Sequence, residues 1–511
     1  MGYKQLTLKI PTGYDDNLLR KKIASKTGLK KFTFTIERKS LDARNKKNIH
    51  WEMRLLVQAD ALKGDEVLRK QHLEIPFKKR DKRVVVVGSG PAGFFSAFVL
   101  QQAGFKTTLI ERGTDVEKRT TGIRRFEATG VFNPLSNYAF GEGGAGTFSD
   151  GKLTSRSKRI SAEKAFIFSS YVAAGAPAEI EYMTHPHLGS DNLKIIVKNL
   201  RKQFENLGGS FLFETAMTGL KIRQSRVVEV ETNRGSLEAD YVFVAPGHSA
   251  YDTYRMLIKN GVGFHAKNFA IGSRMEHSQE IINIAQWGVP SLPGVKAAEY
   301  RLTSKGNGQQ NIYSFCMCPG GVIVPATAVK EANIVNGMSR YMRNENFANA
   351  ALVAAFNPNE MIKPGVSALE ILDWMENLEH SFYQFSNQYK APYCSVQDFI
   401  RGKITKGYET SSYPMGIEQA PLWEMLPVKT ALAMRAGLKD FIKKMHGFGT
   451  GNVIGLESKT SAPIQVDREP DGRCTGFDNL YVVGEGSGYA GGIVSSAADG
   501  IKAAMKVVEM A

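Results

Sequence analysis

The chain has 511 residues, of which 50 are Gly, 19 Pro and 42% apolar, a composition that excludes wholesale disorder, collagen and coiled coil and predicts two to four domains. The formal charge is +16, but it is uneven: residues 1–83 hold 22 Lys/Arg against 10 Asp/Glu. An N-terminal basic surface of this kind reads first as a solvated surface; nucleic acid, phospholipid heads or an acidic redox partner are the alternatives it would attract. No apolar run both reaches the length of a bilayer span and lacks turn residues; the longest, Val84–Leu100, contains Gly88, Gly90, Pro91 and Gly93. The N-terminus shows no signal-peptide core, and four cysteines do not make a disulfide scaffold, so a reducing, cytoplasmic location is expected.

Residues 1–83 alternate polar and apolar. Gln5–Ile10, Phe32–Arg38, Trp51–Gln58 and Leu73–Phe77 read as strands, and Asp15–Lys26 and Asp65–Lys70 as helices. The order βαββαβ predicts a ferredoxin-like module, followed by a charged linker, 78–83. From there the pattern becomes α/β. Val84–Val87 is a wholly apolar strand of the parallel-sheet kind, a helix runs to about Ala103, and Thr107–Ile110 is the next strand. Residues 190–207 predict a helix capped by Ser190 or Asp191, with Leu193, Ile196, Val197 and Leu200 on one face. Short strands fill 210–245, ending in Tyr241–Val244. Residues 275–445 are mixed and carry no nucleotide signature, and 479–511 return to strand, glycine turn and helix. The division expected is 1–83, a basic α+β module; 84–274 and 446–511, two parts of one nucleotide domain; and 275–445, an inserted substrate or cap domain.

Gly88-Ser89-Gly90-Pro91-Ala92-Gly93 is a GxGxxG turn between strand and helix, with Glu111 eighteen positions after Gly93, at the end of the second strand, and Arg112 beside it. Gly88 permits the tight turn, Gly90 lets backbone approach a pyrophosphate, and Gly93 lets helix meet strand; the helix N-terminus favours the phosphates, and the Glu111 carboxylate suits ribose hydroxyls. Gly484-Glu485-Gly486, after the strand 479–483, is a second strand–Gly–acid–Gly element, and Gly492-Ile493 opens the last helix. Flavoproteins of the glutathione-reductase type carry such a second fingerprint, usually with Asp where Glu485 stands, holding the FAD ribitol. Ala239–Gly247, with Ala245 and Gly247, resembles the strand and turn that close over the adenine side in that superfamily.

The chain resembles a family of uncharacterised FAD-dependent, NAD-utilising dehydrogenases related to those flavoproteins. Four stretches carry the resemblance: 141–153, with Gly143, Gly144, Ala145, Gly146, Thr147 and Lys152; 184–191, with His185 and His187; 315–321, with Cys316 and Cys318; and 457–463. The resemblance implies an FAD-binding Rossmann-like domain with a large mixed α+β insertion and FAD as cofactor, and little about the substrate; the reading preferred is a dehydrogenase or reductase acting on a small molecule by hydride transfer, with NAD(P)H binding transiently at the flavin face, binding elsewhere, or not serving as the donor. A flavoenzyme acting on RNA and a non-catalytic flavin-binding protein stand as alternatives. The family leads one to expect Arg where Lys459 stands, which weakens a bidentate anion role. Gly146 and Gly151 occupy the places of the redox cysteines of the disulfide reductases, so disulfide reduction by that route is not expected. Lys152, His185 and His187 are the catalytic candidates, Lys152 as a cation near the flavin, against a lysine on the surface or on an FAD phosphate, and the histidines as proton carriers, against a structural or substrate-facing pair. No metal site is expected. The Cys316/Cys318 pair reads as buried apolar cysteines beside a Pro-Gly-Gly turn, with a redox pair as the alternative.

Overall fold

The computed structural model describes residues 2–63, 72–306, 308, 310–386, 388–405 and 410–511. Three strands, Gly2–Pro11, Thr33–Asp42 and His50–Ala59, form an antiparallel sheet in which the third lies between the first two. The helix Asp16–Thr27 covers it and is capped by Asp15, whose carboxylate accepts from the Leu18 amide at 2.7 Å. Leu8, Leu19, Ile23, Trp51, Met53 and Val57 make its core.

The ferredoxin-like expectation needs correction. Leu73–Phe77 forms no strand, and the expected helix Asp65–Lys70 lies outside the described residues. Nor do residues 78–83 hang free as a linker. The Lys78 and Arg80 amides donate to the carbonyls of Ala103 and Gly104, and the Arg80 guanidinium reaches Ala103 O and Val508 O while lying on the Phe105 ring. This segment therefore spends its backbone donors on the nucleotide domain rather than on a fourth strand.

The next unit is a five-stranded parallel sheet, ordered Leu480–Val482, Tyr241–Val244, Arg83–Val87, Lys106–Ile110, Ser210–Leu212. Its strands are apolar on both faces because both are covered, one by helices and the other chiefly by a small antiparallel meander. The helices Pro91–Gln102 and Ile493–Met510 approach closely where Gly500 lies on the Ala92 carbonyl, a contact that leaves no room for a Cβ. That meander, Met217–Arg223, Arg226–Thr232 and Gly235–Glu238, packs Leu220, Val227 and Val230 against Val85, Val87, Val242 and Val244. In the helix Gly189–Asn206 neither expected cap forms; the Asp191 carboxylate instead accepts from the Tyr341 amide at 2.8 Å.

The mixed region is built on a seven-stranded, mainly antiparallel sheet. Its order is Thr303–Ser304, Ile312–Cys318, Phe347–Phe356, Phe269–Ser278, Asn452–Glu457, Ala391–Ser395, Ile417–Gln419. Two of these strands, Phe269–Ser278 and Asn452–Glu457, extend past the limits 275–445 inferred from sequence. The helices Ala368–Ser386 and Val428–Lys444 close its core around Leu352, Phe356, Phe382 and Phe441. Among the described residues, no helix is long and apolar enough to cross a membrane.

Candidate functional site

The parallel register brings the glycine turns together. Val87 pairs with Val244, and Val244 with Val482, so three strands end side by side and Gly88, Ala245 and Gly484 leave the sheet at one edge. Gly88 has φ +93° and sits against the Ala245 carbonyl; a Cβ on Gly93 would overlap Gly88 O. The loop 141–146 folds onto this turn, and a Cβ built on Gly144 would lie 2.9 Å from Gly90 Cα. Gly484 abuts Ala92, Gly486 abuts Pro246, and Gly146 faces Ile493. A partly enclosed cavity opens here, lined by Ser89, Pro91, Gly143, Gly146, Thr147 and Ile493 among others.

Two features say what this edge holds. The helices that start at Gly90 and Gly492 have no side-chain cap, so their positive ends are left to an external acceptor. Around Gly247, Gly491 and Gly492 the space a Cβ would enter is open. A dinucleotide fits both: its pyrophosphate at the Pro91 helix and the electron-rich edge of its ring at the Ile493 helix.

Glu111 is buried and already has four donors. Its Oε2 accepts from Ser89 N (2.9 Å) and Ser89 Oγ (2.7 Å), its Oε1 from Gly113 N (2.8 Å) and Gly141 N (3.1 Å). The carboxylate thus pins three loops, and a ribose hydroxyl would have to replace one of these donors, Ser89 Oγ being the mobile one. Arg112 forks onto Asp252 at 2.9 and 2.7 Å and lies over Phe140. Thr147 Oγ donates to Glu142 O. Glu485 faces His248 Nδ1 at 3.3 Å, and its negative charge is felt by Lys267, whose ammonium donates to Gly488 O.

Lys152 and His187 face one another across an isolated β-bridge. The Lys152 ammonium contacts Asp150 at 2.6 Å and the Met317 carbonyl, with Glu299 at 4.0 Å; Asp150 is forked by Arg343 at 3.0 and 2.6 Å. Burial opposes the Asp150 charge, but Lys152 and Arg343 overcome it and hold its pKa far below the usual range. His187 Nε2 lies 3.0 Å from Tyr341 O, which assigns the proton to Nε2; burial, with Arg343 nearby, lowers its pKa to about 4, so it is neutral at pH 7. His185, across Pro186, is exposed. The expected HPH pair therefore divides into one inward and one outward ring.

Some groups escaped the sequence reading. Arg119, fully buried, donates to the carbonyls of Asn137, Tyr138, Glu142 and Gly144 and so holds the glycine loop. Asp499 accepts from Gly484 N at 2.8 Å and pairs with Arg468. Arg274 and Glu457 form a fully buried ion pair at 2.8 Å. Lys459 faces no anion site: it meets Glu379 at 2.8 Å and the Tyr251 hydroxyl, a setting that a compact ammonium satisfies. The surroundings of Cys316 and Cys318 are not apolar either, because Arg274 and Lys152 reach them.

The parallel sheet, the glycine edge and its uncapped helices define a flavin-dinucleotide oxidoreductase, with FAD as the cofactor. Comparison with known proteins agrees. Residues 82–253 match the pyridine nucleotide-disulphide oxidoreductase family, 268–460 the C-terminal domain-like family of FAD-dependent proteins, and 3–58 a domain of unknown function. An uncharacterised protein of Clostridium beijerinckii is 37% identical over 517 residues, covering 97% of this chain and 96% of its own. The chain belongs to that protein's family, a family of FAD-dependent oxidoreductases. Solved structures are more distant. A flavoprotein/dehydrogenase of Cytophaga hutchinsonii is 12% identical, with 84% of this chain and 78% of that one covered and a TM-score of 0.38. A geranylgeranyl bacteriochlorophyll reductase-like protein of Thermoplasma acidophilum is 15% identical, with 84% and 79% covered and a TM-score of 0.37. Likeness this low says nothing of function.

Proposed function

We propose that the protein is a dehydrogenase or reductase that acts on a small molecule, with NAD(P)H as a transient electron donor and the 268–460 unit covering the substrate face. The observation that carries this reading is the convergence of Gly88, Ala245 and Gly484 at one sheet edge beneath two uncapped helix N-termini. FAD, when bound, supplies a two-electron hydride acceptor and donor. The turn at Gly88–Gly93 and the loop Gly143–Thr147 would hold its pyrophosphate, Glu111 and Arg112 would order its adenosine side, and Glu485, Gly492 and Ile493 would position the ribitol and pyrimidine.

The chain's own ionisable groups then have distinct roles. Lys152, kept cationic by Asp150 and Glu299, places a fixed positive charge at the seam between the two domains. His187 is a neutral ring held in place by its Nε2 contact with Tyr341 O, and His185, which reaches solvent, would carry the proton. Because Gly146 and Gly151 replace the usual cysteine pair beside the ring, electrons would pass between nicotinamide, cofactor and substrate without a disulfide relay there. The test is anaerobic titration of the yellow protein with NADH and NADPH, followed by a screen of acceptors. Bleaching of the flavin band by either donor supports the assignment; a flavin that neither donor reduces rejects it in favour of a non-catalytic flavin carrier.

A further inference from the structure

The strand Ile312–Cys318 carries two thiols, on Cys316 and Cys318. Residues two apart on a strand face the same side. Here the pairing register with Phe347–Phe356 breaks between Phe315 and Cys318, and Cys316 has φ +43°, a conformation rarely adopted outside glycine. The resulting bulge folds the pair onto itself: the Cys318 thiol donates to Cys316 O at 3.5 Å. Arg274 bridges the two residues, its Nη2 donating to Cys316 O at 2.8 Å and to Cys318 Sγ at 3.4 Å. From the other side the Lys152 ammonium donates to the carbonyl of Met317, between them. Cys316 is partly exposed and Cys318 buried, whereas the other two cysteines, Cys394 and Cys474, are buried singly.

We propose that Cys316 and Cys318 are a redox-active dithiol that reduces low-molecular-weight disulfides by thiol–disulfide exchange, a function separate from flavin chemistry and independent of the reading above. Cys316, the more exposed residue of the two, is the attacking group, and buried Cys318 the resolving one. The Cys316 thiolate attacks one sulfur of the disulfide RSSR; the S–S bond breaks, and one RS⁻ leaves and takes up the proton released from Cys316. The Cys318 thiolate then attacks Cys316 Sγ, expelling the second RS⁻, which takes up the proton from Cys318. The small disulfide gains two electrons and two protons to give two RSH, and the protein loses them to form the Cys316–Cys318 bond.

The electrostatics suit this order. The hydrogen bond from Cys318, aided by Arg274 and Lys152, lowers the Cys316 thiol against the opposing effect of burial. The same hydrogen bond, with burial, raises Cys318. Burial, joined at Cys394 by the Asp398 charge, raises Cys394 and Cys474, the latter to about 12, and leaves them unreactive.

The test is to incubate the purified, flavin-loaded protein with glutathione disulfide, block free thiols with iodoacetamide, and map the peptides by mass spectrometry. Wild type should lose alkylation at Cys316 and Cys318 together, lose two hydrogens in mass, and carry no glutathione. Cys318→Ser should stop at a glutathione adduct on Cys316, and Cys316→Ser should remain unmodified. Wild-type protein that keeps a stable glutathione adduct, or in which both thiols stay fully alkylated, overturns the proposal. Because the readout is chemical, neither flavin content nor turnover of any substrate enters it.

Discussion

Replacing Arg119 by Met tests whether the glycine loop is held from behind by one buried cation. Arg119 is wholly buried and donates at 2.8 Å to Asn137 O, 2.9 Å to Tyr138 O, 3.0 Å to Glu142 O and 2.8 Å to Gly144 O. Met matches its length without donors, so four carbonyls lose this donor; Glu142 O and Gly144 O keep Thr147, whereas Asn137 O and Tyr138 O are orphaned. Orphaned buried acceptors cost about 1–3 kcal/mol each. Against this stands the relief of desolvating a guanidinium, which burial already weakens as a base, its pKa falling to about 10. Removing one side of a buried ionic network costs about 3–5 kcal/mol net, and we expect a loss in that range. If the loop opens to water instead of the whole domain unfolding, the same energy appears as cofactor affinity. Gly144 lies on Gly90, so a displaced loop uncovers the pyrophosphate turn, and about 3 kcal/mol is roughly a hundredfold in Kd. Urea denaturation and FAD titration by flavin fluorescence measure the two outcomes. An Arg119→Met protein within about 1 kcal/mol of wild-type stability and with unchanged FAD affinity would refute the reasoning.

Glu111→Gln presents an amide NH₂ to donors that need an acceptor, and should cost about 1–3 kcal/mol, seen as a 10- to 100-fold weaker FAD complex in the same titration. Gly247→Ala and Gly492→Ala meet no neighbour within 4 Å, so backbone strain at φ +67° and +86° limits the stability loss to about 1–2 kcal/mol, while FAD release on dilution should rise several-fold; equal affinity in both variants would show that the open cradle is not the flavin site. His187 and His277 each have a pKa lowered by burial from 6.5 to about 4, so the unfolded chain binds more protons between those values and stability falls on acidification through that window. From pH 7 to pH 5 the expected loss is about 2 kcal/mol per ring, and His277→Gln should remove its share; a flat melting temperature across that range would contradict both assignments.

The parts of the site that were legible in the sequence are those whose physics is local. Gly88, Gly90 and Gly93 act within one turn, and Val84–Val87 before them already specifies a buried parallel strand. The same is true of Gly484 and Gly492 at the other end of the chain. What the sequence did not show depends on distant partners. Asp150 is 193 residues from Arg343, and Arg274 is 183 from Glu457, so no spacing rule could pair them. Asp191 has the chemistry of a helix cap, yet the Tyr341 amide claims it from another domain. Leu73–Phe77 alternates as a strand should, but alternation does not supply a neighbouring edge, and Phe77 ends 75% exposed. His185 and His187 look equivalent in a linear motif; the bridge from His187 to Lys152 turns one ring inward and so leaves the other in solvent.

The ionic contacts at the seam also bear on how the two larger domains can move. Asp150 of the nucleotide domain meets Arg343 of the other, Lys152 meets Met317 O, and His187 meets Tyr341 O. Gly189 lies so close to the Tyr341 backbone that a Cβ there would overlap it. Each buried charge contributes little net stability while paired, because pairing offsets its desolvation; separated, it is an uncompensated charge in a dry interface. Rotating the 268–460 unit away from the glycine edge would part Asp150 from Arg343 and Lys152 from Met317 at the same time. The seam therefore favours one placement of the domains by making the alternatives costly. Access to the glycine edge must then come through loops, and the segment Tyr489–Gly492, with the Tyr489 side chain and two glycines exposed and Arg468 lying on the Tyr489 ring, is one such loop.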